Sequence, residues 1–331
     1  MTGIAVLGCG RIGRVHAQNL ARHPRARLVT VFDVQGQSAR QTAAELGVDA
    51  AGSVAEVLAA REVDAVLIAT PTDTHLSLIT DAVRAGKAVF CEKPVDLDLT
   101  RAQACWSALA PEKPLIMIGF NRRFDPSFRA LRERLARGEI GRLELAVITS
   151  RDPAPPPAAY IKVSGGLFRD MTIHDFDMAR HLAGDIAQVH AFGAGLVDAK
   201  IAELGDIDTA TVALRAHSGA LVQINNSRRC AYGYDQRLEV FGAHGMLQAG
   251  NRYATSVAAW NAEHTGSRER VLDFFIERYQ DAYRAELDAF VSALEAGTAP
   301  TPDFTDGLEA LRLAAAAAES VRTGRVVDVG A

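Results

Sequence analysis

The chain reads as an α/β protein in two parts: an N-terminal doubly wound parallel sheet of Rossmann type, then an α+β region with a large open, mainly antiparallel sheet. Three observations predict this. Over roughly the first third of the sequence, short apolar runs alternate with helical patterns. A glycine-rich turn joins the first run to the first helix. Beyond "GRLEL" the runs follow one another with few helices between them, and many alternate apolar with polar residues. Continuous apolar runs suit strands covered on both faces, whereas alternation suits a sheet with one face on a core.

In chain order, "IAVL", "RLVTVFD", "DAVLIAT", "AVFCEKP" and "PLIMIGF" are predicted parallel strands joined by helices, with the short "VDAAG" as an extra strand. "RLELAVITSR" opens the second sheet. "DPAPPP", Asp152 to Pro157, cannot hold regular structure and is predicted to be a loop. "GGLFRDMTIHDFDMARHL", Gly165 to Leu182, is predicted to be a helix opening after a glycine pair. "AQVHAFGAGLV", "DTATVALRAH", "ALVQINNSRR" and "RLEVFGAHGMLQAG" supply the remaining strands. The chain then turns helical and ends in "GRVVDVG". The predicted division is 1–121 and 122–331, with helices from about 302 as candidates to pack back on the first domain.

Composition narrows the function classes. A hydrophobic fraction of 48% and a charged fraction of 23% are those of an ordinary globular protein. The net charge of −4 gives no electrostatic case for nucleic acid or an anionic membrane. The one basic cluster, Arg122 to Arg137, alternates with acids and apolar residues and reads as a solvated helix face. Four cysteines without paired spacing argue against a zinc ribbon or a disulfide framework and fit a reducing cytoplasm. No apolar run reaches transmembrane length, and the N-terminus enters a structural motif at once, leaving no room for a signal peptide.

Gly8, Gly10 and Gly13 form G-x-G-x-x-G between the strand "IAVL" and the helix that follows, with Arg11 and Ile12 at the turn. Glycines permit a tight turn and a close approach of backbone to pyrophosphate, and the helix N-terminus supplies N–H groups and a positive dipole end. "RLVTVFD" ends in Asp33, twenty residues after Gly13, where a carboxylate accepts hydrogen bonds from the adenosine ribose. A 2′-phosphate would face a like charge there, and no Lys or Arg follows within six residues, so NAD is expected in preference to NADP.

Two further segments end parallel strands, where ligand crevices form. "ATPTDTH" places Thr70 and Pro71 near the cofactor, and His75 is either a third contact or the start of the next helix. "CEKP" brings Glu92 and Lys93 to the same edge. Desolvation there would lower the lysine's pKa and suit it to proton transfer or to polarising a carbonyl. Pro94 fixes the turn and admits a cis bond.

Asp170, His174, Asp177 and His181 recur at four, three and four residues and fall in one helical stripe. Three readings compete: a solvated face with Asp–His pairs, a metal site lacking an assignable third ligand, or acid–base catalysis beside a nicotinamide. Ile173 borders the stripe on one side and Met171 and Met178 on the other, which points to a mostly buried helix whose polar stripe lines an enclosed space.

Together "GCGRIG", "ATPTDTH", "EKP", "GFNRRFDP" and "GGLFRDMTIHDFDMARHL" resemble the Gfo/Idh/MocA oxidoreductases, most closely the inositol 2-dehydrogenases among them. The resemblance spans essentially the whole chain. It implies a Rossmann domain followed by an α/β domain whose open sheet mediates homo-oligomerisation, as dimer or tetramer. Lys93, Asp170 and His174 fall at its catalytic positions, and Lys93 also at a substrate contact. Asp177 falls at a substrate-hydroxyl ligand, Tyr234 near the polyol and Asp152 at a polar substrate contact. The implied reaction is NAD-dependent oxidation of a secondary hydroxyl of a cyclic polyol, myo-inositol to its 2-keto product, with no metal. The alternatives are another inositol isomer or a pyranose sugar, and, from other classes, an NAD-retaining glycosidase or a non-catalytic sensor. The chain departs from the family where Met171 and Thr172 replace a glycine-rich opening and where Ser150 stands in place of a histidine. His181 lies farthest along the helix and is left out of the site.

Overall fold

A computed structural model describes residues 1–330. Its polypeptide divides into two compact units: 1–124 with 281–311, and 125–280 with 312–331. Its strands and helices run β1 (Thr2–Leu7), α1 (Arg11–Ala21), β2 (Ala26–Phe32), α2 (Gly36–Leu46), β3 (Asp49–Ala50), α3 (Val54–Ala59), β4 (Ala65–Ile68), α4 (His75–Arg84), β5 (Ala88–Glu92), α5 (Leu99–Leu109) and β6 (Ile116–Gly119). There follow α6 (Pro126–Ala136), β7 (Leu143–Arg151), α7 (Ala158–Ser164), α8 (Leu167–Asp170), α9 (Ile173–Ala183), β8 (Ile186–Ala194), α10 (Ala199–Glu203), β9 (Thr209–Ala216), β10 (Leu221–Ser227), β11 (Asp235–Gly242) and β12 (Gly245–Ala249). The hairpin β13 (Ala258–Trp260) and β14 (Thr265–Arg268), then α11 (Phe275–Arg278), α12 (Gln280–Ala296), α13 (Phe304–Thr323) and β15 (Val327–Asp328), complete the chain.

In the first unit six strands pair in parallel in the order β3-β2-β1-β4-β5-β6, the doubly wound arrangement expected from the alternating runs. β1, β4 and β6 are buried at nearly every position, as strands covered on both faces must be. Chain order reverses between β1 and β4, the place where such sheets bind ligands. The core gathers Ile4, Val6, Leu67, Phe90 and Met117 with Leu287, Phe290 and Val291 of α12. The sequence puts a return to this unit near residue 302. The apolar face of α12 brings it at 281, and α13 passes back to the second unit at Arg312.

The second unit is built on seven strands ordered β12-β11-β7-β10-β9-β8-β15, antiparallel except for the parallel pair β7 and β10. Burial alternates along β9, which is the period-two pattern of a sheet with one open face. The predicted single helix after Gly165 is instead two. α8 stops at Asp170, α9 starts at Ile173, and Met171 and Thr172 turn the chain between them. Gly165 and Gly166 both have φ near +80°, and a Cβ at Gly166 would lie 2.7 Å from Asp206 Oδ1, so the glycine pair is required by backbone and space alike. Arg122, read as part of a solvated face, is buried. Among the described residues no helix is long and apolar enough to cross a membrane.

Candidate active site

Carboxyl ends of β1, β2 and β4 gather the residues of the dinucleotide fingerprint in the first unit. Gly8 adopts φ +97° and its absent Cβ would meet Ala69 O at 2.5 Å. A Cβ at Gly13 would sit 1.8 Å from Gly8 O. These two glycines let strand, turn and helix close on each other. Gly10 is different, because a Cβ there would meet nothing within 4 Å. It is the N-cap of α1, it has no side chain to accept from the first-turn amides, and the space above it is open. That is the cradle a pyrophosphate needs. Asp33 follows β2, its Oδ2 accepting from Cys9 N at 2.7 Å and its Oδ1 from Gln35 N at 2.8 Å. The carboxylate is thereby fixed against the glycine turn, in position for a ribose. Thr70 and Pro71 follow β4, with Thr70 Oγ1 bonded to Thr74 Oγ1 at 2.7 Å.

Two of the expected cofactor contacts are turned elsewhere. His75 opens α4 with its ring inward and is 1% exposed. Nδ1 lies 2.8 Å from Pro94 O and Nε2 3.0 Å from Thr70 O, so the ring ties two strand-end loops together and offers neither nitrogen to a ligand. Burial lowers its pKa, against smaller raising effects from the two carbonyls. Glu92 is also buried, and Oε1 meets His16 Nε2 at 2.7 Å. Gly119 on β6 makes room for this carboxylate, since a Cβ there would lie 3.1 Å from it. Glu286 of α12 completes a tight group, with one ligand atom from each of His16, Glu92 and Glu286 within 4.8 Å of the others. Glu286 is fully buried without a hydrogen-bond partner for either oxygen, and desolvation, then Glu92, push its pKa well above the usual carboxylate range. Lys93 follows β5, its peptide bond to Pro94 cis.

In the second unit the parallel pair β7 and β10 sets Arg151 beside Ser227, so the next residues, Asp152 and Arg228, emerge together. Asp152 N donates to Ser227 O at 2.9 Å. Arg228, its side chain 2% exposed, reaches Asp170 Oδ2 with Nη2 at 3.0 Å and stands 3.7 Å from Asp152 Oδ2 through Nη1. Tyr160 of α7 donates its hydroxyl to Asp170 Oδ1 at 2.8 Å. Desolvation, then the Asp170 carboxylate, push that phenol well up, so it stays a donor. His174 follows in the first turn of α9 and is half-buried. Asp177, expected to bind a substrate hydroxyl, has no accessible surface, because α9 turns it and Asp175 into the protein. Asp175 accepts from Ser150 Oγ at 2.6 Å and Asn226 Nδ2 at 2.8 Å, while Thr172 Oγ1 donates to Asn226 Oδ1 at 2.7 Å. This buried network anchors the α8–α9 bend to β7 and β10. Tyr234 is buried with its ring edge-on to Tyr279. Arg132 Nε donates to the His181 carbonyl at 2.7 Å.

Arg228, Tyr160, His16 and Glu286 were not singled out from the sequence. Arg228 was hidden in "NNSRRC" at a strand end, and only the parallel pairing of two distant strands gives it meaning. A histidine one turn into the helix after the glycine motif was the available signal for His16.

An open pyrophosphate cradle beside a fixed ribose-binding acid, on a chain that also carries an acid–histidine bend, defines a dinucleotide-dependent oxidoreductase. Comparison with known proteins specifies the class. Residues 2–120 match the model of the oxidoreductase family with an NAD-binding Rossmann fold, and residues 128–248 match the GFO/IDH/MocA C-terminal domain. The chain is 46% identical to inositol 2-dehydrogenase of Rhizobium meliloti (strain 1021), over 98% of each chain. It is similar to the crystal structure of a myo-inositol dehydrogenase from Corynebacterium glutamicum, with TM-score 0.97 and 48% identity over 100% of this chain and 99% of that one. It is also similar to scyllo-inositol dehydrogenase from Lactobacillus casei with bound NAD(H) and scyllo-inositol, with TM-score 0.92 and 30% identity over the whole of both chains. The chain belongs to the Gfo/Idh/MocA family of oxidoreductases, and NAD is its cofactor.

Proposed function

We propose that this enzyme oxidises a secondary hydroxyl of a cyclic polyol, myo-inositol to its 2-keto product. The turn at Gly8–Gly13 and Asp33 would hold NAD+, which would supply the hydride acceptor. His174 takes the hydroxyl proton, because imidazole titrates nearest neutrality. Asp170 orients it, and Lys93 bonds the reacting oxygen. Asp152 and Tyr234 read neighbouring hydroxyls, so that an epimer leaves buried partners unpaired. Asp177, without accessible surface, is assigned no substrate contact. The observation that carries this reading is the pair of acids, Asp152 and Asp170, gathered on one buried arginine one turn from His174, in a chain whose full-length relatives are named inositol dehydrogenases. The scyllo isomer is the second reading, favoured by the Lactobacillus casei structure.

The test is an NADH-absorbance screen over inositol isomers, glucose and related sugars, repeated with NADP. Stoichiometric NADH release with a free polyol separates this reading from a glycosidase or a sensor. His174→Ala is expected to lose turnover while retaining NAD binding, and near-normal turnover refutes the assignment.

The open face of the second sheet supports self-association. Leu145, Leu221, Phe241 and Met246 are 40–50% exposed and lie side by side across β10, β7, β11 and β12. A contiguous apolar row of this kind marks an interaction surface, and the occupant proposed is a second copy of the chain. All four cysteines are free thiols, which supports a reducing cytoplasm as the working compartment.

A further inference from the structure

The guanidinium of Arg228 touches two acids of the proposed site and takes no part in the chemistry assigned there. We propose that Arg228 is a positioning residue: it clamps Asp170 in the carboxylate form and holds Asp152 beside it, so that Asp170 stays the acceptor that orients His174, Asp152 stays a fixed hydroxyl acceptor, and neither takes the substrate's proton. The proposal rests on the functional reading above and adds the group that sets the charge of its acid.

Geometry carries it. Nη2 lies 3.0 Å from Asp170 Oδ2 and Nη1 3.7 Å from Asp152 Oδ2, so one planar fork spans both acids. The side chain is 2% exposed against 13% for Asp170 and 23% for Asp152, so the cation lies deeper than the acids it holds. Arg228 is itself fixed, its backbone N–H donating to Asp208 O at 2.8 Å. The other oxygen of Asp170 accepts from Tyr160 at 2.8 Å. Arg228 after β10, Tyr160 on α7 and Asp152 after β7 face Asp170, and His174, which Asp170 is proposed to orient, stands one turn on in α9. The first two stabilise its anion and the third opposes it. Arginine suits this role better than lysine, because it cannot lose its proton and its rigid fork meets two carboxylates at once.

The sign follows. Removing the cation takes a positive charge away from contact with the Asp170 anion and keeps the like charge of Asp152 nearby, so Asp170 should hold its proton to higher pH. In Arg228→Gln the Asp170 carboxyl, followed by carbon NMR on aspartate-labelled protein and assigned with Asp170→Asn, is expected to titrate about one pH unit or more above wild type. The acid limb of kcat/KM should rise with it, while NAD affinity stays unchanged. Arg228→Lys keeps the charge and loses the fork. Its titration should stay near that of wild type while KM for the polyol rises about tenfold. If Arg228→Gln does not fold, Asp152→Asn carries the test with opposite sign, because removing the like charge should lower the Asp170 titration.

An Asp170 carboxyl that does not move in Arg228→Gln or in Asp152→Asn overturns the clamp. So does a lysine variant that shifts as far as the glutamine variant, since that would mark a packing role. The NMR titration needs no turnover. A His174→Ala enzyme that remained active would sink the functional reading and leave this result standing.

Discussion

Replacing Glu286 with glutamine separates a proton from a charge in the core of the first unit. Both Glu286 oxygens lack partners, and Glu92 lies within the same 4.8 Å group. Two carboxylates that close in a buried setting do not both ionise, and the raised pKa of Glu286 makes it the neutral one. The unfolded chain releases this proton near the ordinary glutamate value while the folded chain keeps it. The contribution of Glu286 to stability is therefore fully present below about pH 4.3. Above that it is lost at about 1.4 kcal/mol per pH unit, until the pH passes the folded-state pKa. Glutamine abolishes that slope. Its own unmet amide donors set a constant offset of about 1–3 kcal/mol against it, so the signature is the divergence of the two stability curves with pH and not their absolute separation.

Urea unfolding at a series of pH values provides the measurement. Trp106, stacked on Phe304 in the first unit, reports the transition in a Trp260→Phe background. Curves that run parallel from about pH 5 to 6 would refute the neutral-acid account. So would added zinc that stabilises the wild type and not the variant, because a cation would then be what joins His16, Glu92 and Glu286.

Other outcomes follow from the same contacts. Gly10→Ala should fold normally and lose NAD affinity, since its methyl enters open space at the head of α1. Gly13→Ala should be destabilised outright by its contact with Gly8 O; thermal unfolding and NADH titration distinguish the two. Asp33→Asn turns an amide toward one of two N–H donors and gives up a charged acceptor for the ribose. A roughly 10–100-fold loss of NAD affinity, from about 1.5–3 kcal/mol, is expected with a narrowed gap to NADP, measured by calorimetry. Asp125 caps α6 through the Ser127 and Phe128 amides and pairs with buried Arg278. Asp125→Ala should cost about 3–5 kcal/mol by stranding that cation, and adding Arg278→Met should recover part of the loss in urea unfolding.

The first unit was largely legible from residue order. Its strands are buried on both faces, so each appears as an apolar run, and Gly8, Gly13 and Asp33 act through backbone geometry that their identities already require. Local pattern carried less information where function depends on distant pairing. Helical spacing placed Asp170, His174 and Asp177 on one stripe, but the helix breaks at Met171 and Thr172, and α9 packs with Asp177 on its buried side. Periodicity cannot register such a bend, because Thr172 and Asp175 owe their places to Asn226 and Ser150 on strands far away in sequence. Glu92 ends β5 and His75 opens α4, yet their partners, His16 and Pro94 O, draw them into the protein. The sequence tells which loop a residue belongs to and not which way its side chain turns.

The late return of the chain has a consequence for synthesis. Leu287, Phe290 and Val291 belong to the core of the nucleotide-binding unit, although the whole of 125–280 lies between them and its other residues. At roughly 5–20 residues per second, a ribosome delivers α12 about ten seconds or more after β6. During that interval the nascent sheet shows an uncovered apolar patch to chaperones and to neighbouring chains. The dinucleotide cradle at Gly8–Gly13 is translated before the second unit, and its domain can close only after residues 125–280 have been made.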